Sequence, residues 1–134
     1  MSKMWDDFGE YVSKFINGKN LNVAELAIGH FYDVSNIIEK YDNINLIKTD
    51  IKPTQEDIIK DDLKNPNYNL YRDIDLMYSI RPPYELQPYI FNLAKTIKCQ
   101  LIIKPLSGEN LSRKLALMKL KNYKKANFYI YDFR

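Results

Sequence analysis

Apolar stretches that alternate with stretches of helical periodicity are the feature that most constrains this fold. Five stretches are predicted as strands, and they cover residues 22–28, 44–50, 57–62, 73–80 and 99–106. Strands that are buried on both sides occur in parallel sheets covered by helices on each face. Because crossovers between parallel strands are right-handed, the alternation predicts an α/β fold with a doubly wound sheet.

The ends of the chain complete this arrangement. Residues 3–16 are predicted as a helix that Gly18 ends, since apolar side chains recur three or four positions apart at Trp5, Phe8, Val12 and Phe15. The segments 114–123 and 127–133 are predicted as a closing antiparallel hairpin. A length of 134 residues is typical of one domain. We therefore expect a single domain over 1–134, with an N-terminal helix in 1–18 and the sheet core in 20–134.

Two further helices are predicted between the strands. The segment 33–42 has helical spacing, and Asp33 is its expected N-terminal cap. A second segment carries apolar residues on one face up to position 97. Since Pro88 is tolerated only in the first turn of a helix, this one is expected to begin near Leu86 or Gln87.

Composition excludes several classes of protein. The chain contains a single cysteine, Cys99, and a single histidine, His30, so it can form neither an internal disulfide nor a zinc site of thiolates or histidines. No metal is predicted. No apolar run reaches the length of a membrane span, and the acidic start does not resemble a signal peptide. These features favour a cytoplasmic protein that does not enter a membrane. The net charge of +3 favours neither nucleic acid nor a small anion.

The carboxyl ends of the strands are where a ligand is expected. Ligands of doubly wound sheets bind outside these ends, near the point where the strand order switches. The candidate positions that this rule selects are Glu25 to Phe31, Asp50, Asp61, Asp62, Ser79 to Tyr84, and Lys104 to Glu109.

The turn after the first strand, in "NVAELAIGHFYDVSN", is related to dinucleotide-binding turns but lacks most of their glycines. Only Gly29 remains, and Ala27 and Phe31 occupy the other glycine positions. A carboxylate at Asp33 would repel a pyrophosphate, so NAD, FAD and a P-loop are disfavoured. An adenosine that carries a positive sulfonium and an amino-acid tail meets no such objection, and Glu25 and Asp33 suit its positive groups.

Three acidic strand ends follow in order. Asp50 lies 21 residues after Gly29 and can accept hydrogen bonds from both ribose hydroxyls, while Asp61 or Asp62 can accept one from an adenine amino group. The prediction is that the carboxylates at 25, 50 and 61–62 gather around one crevice. The alternative is that these acids only cap strands and turns. His30 either lines the pocket or caps the turn, and Phe31 either fills the pocket or stacks on its ligand.

The segment "SIRPPYEL" follows the fourth strand and is the expected position of an acceptor. Arg81 has five donors and no acceptor, so it cannot take a hydrogen bond from an amine, but it can hold a carboxylate or phosphate. Lys104, at the end of the fifth strand, is expected nearby. The alternative is a rigid turn in which Arg81 pairs with Glu109 or Glu85.

The order of "ELAIGHFYDVS", "TDIKP", "DLMYSIRPPYELQ", "LIIKPLSGE" and "NYKKANFYIY" resembles uncharacterised protein family 0146, a group of small, mostly archaeal proteins. The resemblance covers residues 20–131. It implies a minimal Rossmann-like fold of the methyltransferase type, a three-layer α/β/α sandwich, without an assigned activity. The broader likeness to S-adenosylmethionine methyltransferases implies cofactor roles for Glu25, Gly29, Asp50 and Asp62. Ser79 joins the cofactor candidates, and Arg81, Tyr84 and Lys104 are the catalytic candidates.

Two rival interpretations come from other parts of the chain. A phosphoacceptor receiver domain is disfavoured because Gly29, His30 and Phe31 stand where its magnesium-binding acids are needed. RNA binding by the C-terminal hairpin has more support, since lysines and tyrosines alternate there (Lys119, Lys121, Lys124, Lys125, Tyr123, Tyr129 and Tyr131). Lysines also protect edge strands from aggregation. Two function classes remain: a methyltransferase that acts on an anionic acceptor, and a non-catalytic relative that binds RNA or a protein.

Overall fold

The structure, a computed structural model, describes residues 3–14, 19–106 and 111–134. The expected helix residues Phe15 and Gly18 lie outside these ranges, as does Glu109. The strands are β1 Leu21–Leu26, β2 Ile44–Asp50, β3 Ile59–Lys60, β4 Leu76–Ile80, β5 Gln100–Lys104, β6 Lys119–Tyr123 and β7 Ala126–Asp132. The α-helices are α1 Lys3–Ser13, α2 Asp33–Ile38 and α3 Gln87–Ile97, and short 3₁₀ turns cover Tyr68–Leu70, Tyr84–Leu86 and Arg113–Leu115.

These strands form one sheet in the order β3-β2-β1-β4-β5-β7-β6. Neighbours among β1 to β5 are parallel, whereas β7 runs antiparallel to both β5 and β6. The predicted α/β sheet, mostly parallel with a C-terminal antiparallel hairpin, is confirmed. The strand order switches between β1 and β4, so the crevice expected for a ligand opens above these two strands.

Apolar side chains of the sheet pack into two layers, one on each face. Successive residues of a strand point to opposite faces, and the two cores follow that alternation. Against one face pack side chains of α1 and α2, including Trp5, Phe8, Val12, Val34 and Ile38. Against the other pack side chains of α3, including Ile90, Phe91, Leu93 and Ala94. No described helix is long and apolar enough to cross a membrane.

The predicted cap of α2 was wrong. Asp33 is the first residue of the helix, Tyr32 holds the cap position, and no side chain caps this end by a hydrogen bond. The helix also ends at Ile38 instead of continuing to 42. The start of α3 at Gln87, with Pro88 in its first turn, is confirmed.

Several predicted strands were too long, and the two with the largest excess, the third strand and the first hairpin strand, are short because side chains turn the backbone away from the sheet. The third is only Ile59–Lys60, since Asp61 then accepts the amide hydrogen of Asn67, and Asp62 that of Lys64. The first hairpin strand begins at Lys119 and not at 114. Ser112 accepts a hydrogen bond from the amide of Lys114, and this bond begins the 3₁₀ turn that precedes the strand.

Candidate functional site

The turn between β1 and α2 has two left-handed backbone positions although it contains only one glycine. Ala27 and Gly29 both adopt positive φ angles, 54° and 59°. A Cβ added at Gly29 would have no atom within 4 Å, so this backbone borders open space. Thr54 holds the turn from outside by donating its hydroxyl hydrogen to the Gly29 carbonyl at 2.8 Å. The turn therefore presents bare backbone at the end of β1.

Asp50 is joined directly to this turn. Its Oδ2 accepts the amide hydrogen of Gly29 at 2.8 Å, and its Oδ1 accepts that of Lys52 at 2.9 Å. Both carboxylate oxygens are thus held in place by backbone donors. Each oxygen keeps a second lone pair for a further donor.

A cleft of about 700 Å³ opens beside Gly29 and Asp50. It extends from the end of β1 over β2 to the segments that follow β3 and β4. Four acidic and two basic side chains line it, namely Asp50, Asp61, Asp62, Glu85, Lys64 and Arg81. Its volume lies within the range of about 300–1,000 Å³ that small-molecule sites occupy. Among the described residues, no three histidine, cysteine or carboxylate side chains gather as a metal site would require.

The two acids after β3 differ in how far their oxygens are occupied. Asp61 is nearly buried, and its oxygens accept from the Asn67 amide at 2.9 Å and the Tyr71 hydroxyl at 2.6 Å. Burial and the adjoining Asp61 raise the pKa of Tyr71, so the phenol keeps its proton and donates. Asp62 accepts the Lys64 amide hydrogen through Oδ1, and its Oδ2 makes no hydrogen bond to a described residue. Asp62 is therefore the better placed of the two to accept from a ligand.

Arg81 forms the wall of the cleft after β4. Its backbone adopts a positive φ of 52°, and its amide donates to the Lys104 carbonyl at 2.6 Å. Its guanidinium lies 4.9 Å from the ring centre of Phe31 and 5.7 Å from that of Trp5. No ion pair joins Arg81 to Glu85, so the alternative in which these two residues pair was wrong. The charge is thus supported by aromatic rings instead of being neutralised there.

Phe31 leaves the cleft open. Its ring centre lies 5.6 Å from that of Trp5, and its side chain packs against the core on the α1 side of the sheet. Phe31 lines the cleft, and its ring also contacts the Arg81 guanidinium. His30 also lines the cleft, is exposed, and makes no side-chain hydrogen bond to a described residue.

Glu25 and Ser79 lie outside the cleft, so the prediction that the acid at 25 shares a crevice with those at 50 and 61–62 was wrong. Glu25 is buried on the α1 side of the sheet, and its Oε1 accepts the Tyr78 hydroxyl hydrogen at 2.6 Å. Burial raises its pKa to about 8, against the opposing effects of Tyr78 and Lys48. Ser79 is fully buried and donates to the Leu26 carbonyl at 2.7 Å.

Tyr84 and Lys104 also lie outside the lining of this cleft. Tyr84 is half exposed and borders a neighbouring groove. Lys104 donates to the side-chain oxygen of Asn127 at 2.5 Å, and its pKa is lowered by burial and by the charge of Arg81. Lys104 is therefore close to Arg81, as expected, but does not face the cleft.

The lysines and tyrosines of the C-terminal hairpin are divided between the two faces of the sheet. Lys121 pairs in register with Phe128, on the face that α1 covers, whereas Tyr129 and Tyr131 pack against the opposite core. Lys124 and Tyr123 both donate to Glu10 of α1. The mixture of cations and rings predicted from the sequence is thus not one surface.

Sequence reasoning missed several residues of the cleft. Ile51, Leu63 and Lys64 line it, and each stands one or two positions beyond an acid that was selected. Extending each candidate strand end by two residues would have found them. Trp5 is different, because nothing in the helical pattern of 3–16 indicated that its ring supports Arg81.

Several solved structures that share this fold are methyltransferases. The antibiotic-resistance methyltransferase Kmr matches with a TM-score of 0.56 and 7% identity, over 94% of this chain and 93% of that one. A putative ribosomal RNA methyltransferase from Plasmodium falciparum matches with a TM-score of 0.57 and 18% identity, over 98% and 97%. At these identities the likeness concerns the fold alone. The fold is that of the Rossmann-like methyltransferases.

Relatives found by sequence identify the family. A UPF0146 protein of Methanothermobacter thermautotrophicus is 39% identical over 96% of this chain and 95% of its own length. One of Methanocaldococcus jannaschii is 43% identical over 90% and 91%. Residues 5–133 match the family as a whole, and the chain belongs to the uncharacterised protein family UPF0146.

Proposed function

We propose that the cleft binds an adenosyl compound with a positively charged tail, and that S-adenosylmethionine is this ligand. One observation carries the proposal: the bare backbone of Gly29 and the carboxylate of Asp50 lie side by side on the cleft wall, joined by a 2.8 Å hydrogen bond. Bare backbone lets a ligand approach closely, and a fixed carboxylate recognises a ribose.

The ribose would bind at Asp50. Its two oxygens are fixed by the amides of Gly29 and Lys52, and each can still accept a hydrogen bond. Two adjacent hydroxyls of a ribose are the matching pair of donors. A carboxylate held in this way loses little conformational freedom on binding.

The adenine would bind next to it, beyond the ends of β2 and β3. Ile51 and Leu63 supply apolar surface there, and the Ile51 side chain is 52% exposed, as expected for a residue that awaits a flat ligand. The Oδ2 of Asp62 can accept a hydrogen from the adenine amino group. The oxygens of Asp61 already accept hydrogen bonds from Asn67 and Tyr71, so Asp61 stabilises the segment that follows β3.

The charge of the cleft favours a cationic tail over phosphates. Asp50, Asp61, Asp62 and Lys64 line the part of the cleft that follows β2 and β3, three acids against one cation. An anion bound there is therefore repelled more than it is attracted. Arg81 lines the part that follows β4. The Gly29 amide, which would have to bind a phosphate, already donates to Asp50. The same charges attract a sulfonium and an ammonium more than they repel them. For this reason an adenosyl ligand with a positive tail is preferred to a dinucleotide.

The acceptor would enter at the Arg81 end of the cleft. Arg81 is exposed, and its guanidinium can hold a carboxylate or phosphate group with two parallel hydrogen bonds. S-adenosylmethionine supplies a methyl group on a positive sulfur, which leaves as a neutral thioether when a lone pair of the acceptor takes the methyl. The protein would align the two groups, and alignment alone contributes about 7–11 kcal/mol to such reactions. A lone pair without a proton needs no base; otherwise the proton passes to water.

Lys104 would act through Arg81 and not on the acceptor directly. Burial and, to a smaller extent, the charge of Arg81 lower the pKa of Lys104, so the two cations are close enough to repel. An anion bound at Arg81 would relieve that repulsion. Tyr84 faces the neighbouring groove, which leaves Arg81 as the acceptor-binding residue of the cleft.

Titration calorimetry with S-adenosylmethionine and with its demethylated product tests the binding proposal. We expect micromolar dissociation constants for both ligands. Asp50→Asn should weaken binding at least ten-fold because it loses an acceptor oxygen, and Asp62→Asn should weaken it less. Asp33 was expected beside the positive groups of the ligand, but it is exposed and lies outside the lining, so Asp33→Asn is the matched control. Absence of heat at millimolar ligand with folded protein, or equal losses in Asp50→Asn and Asp33→Asn, would contradict the proposal.

Binding without transfer is the second candidate function. It is favoured by the position of Tyr84 and Lys104, two of the three residues expected to be catalytic, outside the lining of the cleft. Tight ligand binding that persists unchanged in Arg81→Ala, without methyl transfer to any anionic acceptor, would select this candidate.

A further inference from the structure

A second groove, of about 640 Å³, lies beside the cleft. Its walls are the 3₁₀ turn Tyr84–Leu86, the start of α3, and the segment around Ser112 and Lys114. Glu85 lines both spaces, and the Lys64 ammonium on the cleft side lies 5.7 Å from the ring centre of Tyr89 in the groove. A chain bound in the groove would therefore reach the cleft beside Glu85 and Lys64.

Two exposed aromatic rings dominate the groove. Tyr84 is 50% and Tyr89 39% exposed, and the rigid residue Pro88 stands beside Tyr89. Rings that remain exposed within a concave surface are platforms on which flat ligands stack. Stacking of a nucleobase on such a ring contributes about 1–3 kcal/mol. Two rings in one groove can take two successive bases.

Polar groups between the rings match the rest of a nucleotide. Lys114 in the groove and Lys64 at its border supply positive charge for phosphates. Glu85 repels phosphate, but its carboxylate accepts a hydrogen bond from a ribose 2′-hydroxyl, a donor that DNA lacks. Asn92 offers both donors and an acceptor to a base edge.

We propose that this groove binds a single-stranded segment of RNA, which presents one nucleotide to the cleft. The proposed acceptor is anionic because Arg81 would hold it. The neighbouring groove favours a ligand with flat aromatic rings, because such rings stack on Tyr84 and Tyr89. A chain that carries both an anion and a flat aromatic ring in every unit is a nucleic acid. RNA binding stands without the proposed methyl transfer, whereas delivery of a nucleotide to the cleft rests on the proposed function.

Fluorescence anisotropy with a labelled eight-residue oligouridylate tests the groove. Tyr84→Ala and Tyr89→Ala should each weaken binding about ten-fold, and Lys114→Ala several-fold with a smaller dependence on salt. Tyr68→Ala is the matched control, because Tyr68 is also 50% exposed but lies outside the groove lining. Lys40→Ala is the control for charge, because Lys40 is an exposed lysine two residues beyond α2. Both controls should bind as the native protein does.

Two further arms separate the outcomes. The deoxy form of the oligonucleotide should bind several-fold more weakly than RNA, and Glu85→Gln should reduce that preference. Asp50→Asn should lose the adenosyl ligand but keep RNA, so that failure of one proposal does not imply failure of the other. The groove proposal is overturned if the oligouridylate does not bind at low salt, if Tyr68→Ala weakens binding as much as Tyr84→Ala, if Lys121→Ala in the hairpin removes binding instead, or if DNA binds equally well.

Discussion

Glu25 and Asp50 are carboxylates near the ends of neighbouring parallel strands, yet they have different surroundings. Glu25 lies within β1, beside Lys48 of β2, and is buried against Tyr78. Asp50 lies one residue beyond the last β1–β2 pair, borders the cleft and accepts from Gly29. A side chain inside the paired region points into a packed layer, whereas one just past it can face open space.

The comparison separates stability from binding. Changes in the buried layer of Glu25 and Tyr78 should alter the free energy of unfolding and leave ligand affinity unchanged. Changes at the rim, at Gly29 and Asp50, should alter affinity more than stability.

The largest effect is expected in the pH dependence of stability. The pKa of Glu25 is about 8 in the folded protein, against an ordinary value of 4.5. The folded state binds this proton more tightly than the unfolded chain, so its contribution to stability is complete below pH 4.5 and is lost as pH rises towards 8. The loss amounts to about 1.4 kcal/mol for each pH unit of that interval in which only the folded state holds the proton.

Glu25→Gln should remove this dependence, because glutamine stays neutral at every pH. Urea unfolding at pH 5 and at pH 8 measures this pH dependence. Between the two pH values the free energy of unfolding should fall by several kcal/mol more in the native protein than in the variant. Glu56→Gln, a change at an exposed acid, should behave as the native protein does. If the free energy of unfolding falls equally in the native protein and in Glu25→Gln, then Glu25 is not protonated in the folded state.

The next largest effect is expected for Tyr78→Phe. The variant keeps the ring contact with Phe8, whose centre lies 5.4 Å away, but removes the hydroxyl that donates to Glu25. A buried acceptor that loses its donor costs about 1–3 kcal/mol. Urea unfolding at pH 8 should show this loss, while adenosyl affinity stays unchanged. Tyr84→Phe, which changes a half-exposed hydroxyl, should cost little, and a weaker ligand affinity in Tyr78→Phe would break the division.

The architecture was predictable because periodicity reports which residues are buried. The parallel core, the hairpin and the start of α3 at Gln87 all follow from that signal and the rules of chain connection. The position of Asp50 beside the cleft was predictable for a similar reason, since the end of a strand is visible in the sequence. The prediction for Glu25 was wrong because alternation along β1 fixes the face of the sheet to which its side chain points. Val23 and Glu25 point to the face that α1 covers, and Ala24 and Leu26 point to the opposite face.

The rest of the site depends on contacts between distant segments. The support of Arg81 by Trp5 and Phe31 joins three parts of the chain, and no local pattern records it. The short β3 has a local cause, since Asp61 and Asp62 turn the backbone, but acids are common enough in loops that this cause was not distinctive.

The smallest effects are expected at the two left-handed positions of the β1–α2 turn. Gly29→Ala should cost about 1 kcal/mol of unfolding free energy, because a Cβ is disfavoured at its φ of 59° although no atom obstructs it. Ala27→Gly should stabilise the fold by a few tenths of a kcal/mol, since relief at its φ of 54° is partly offset by a more flexible unfolded chain.

The two variants should differ more in binding than in stability. At Gly29 the new methyl group would project into the space that the ligand is proposed to occupy, so calorimetry should show a loss of adenosyl affinity larger than the loss of stability. Ala27→Gly adds nothing to that space and should bind as the native protein does. Equal affinity in Gly29→Ala would mean that the ligand does not approach this backbone, and the rim would then be no more than a structural turn.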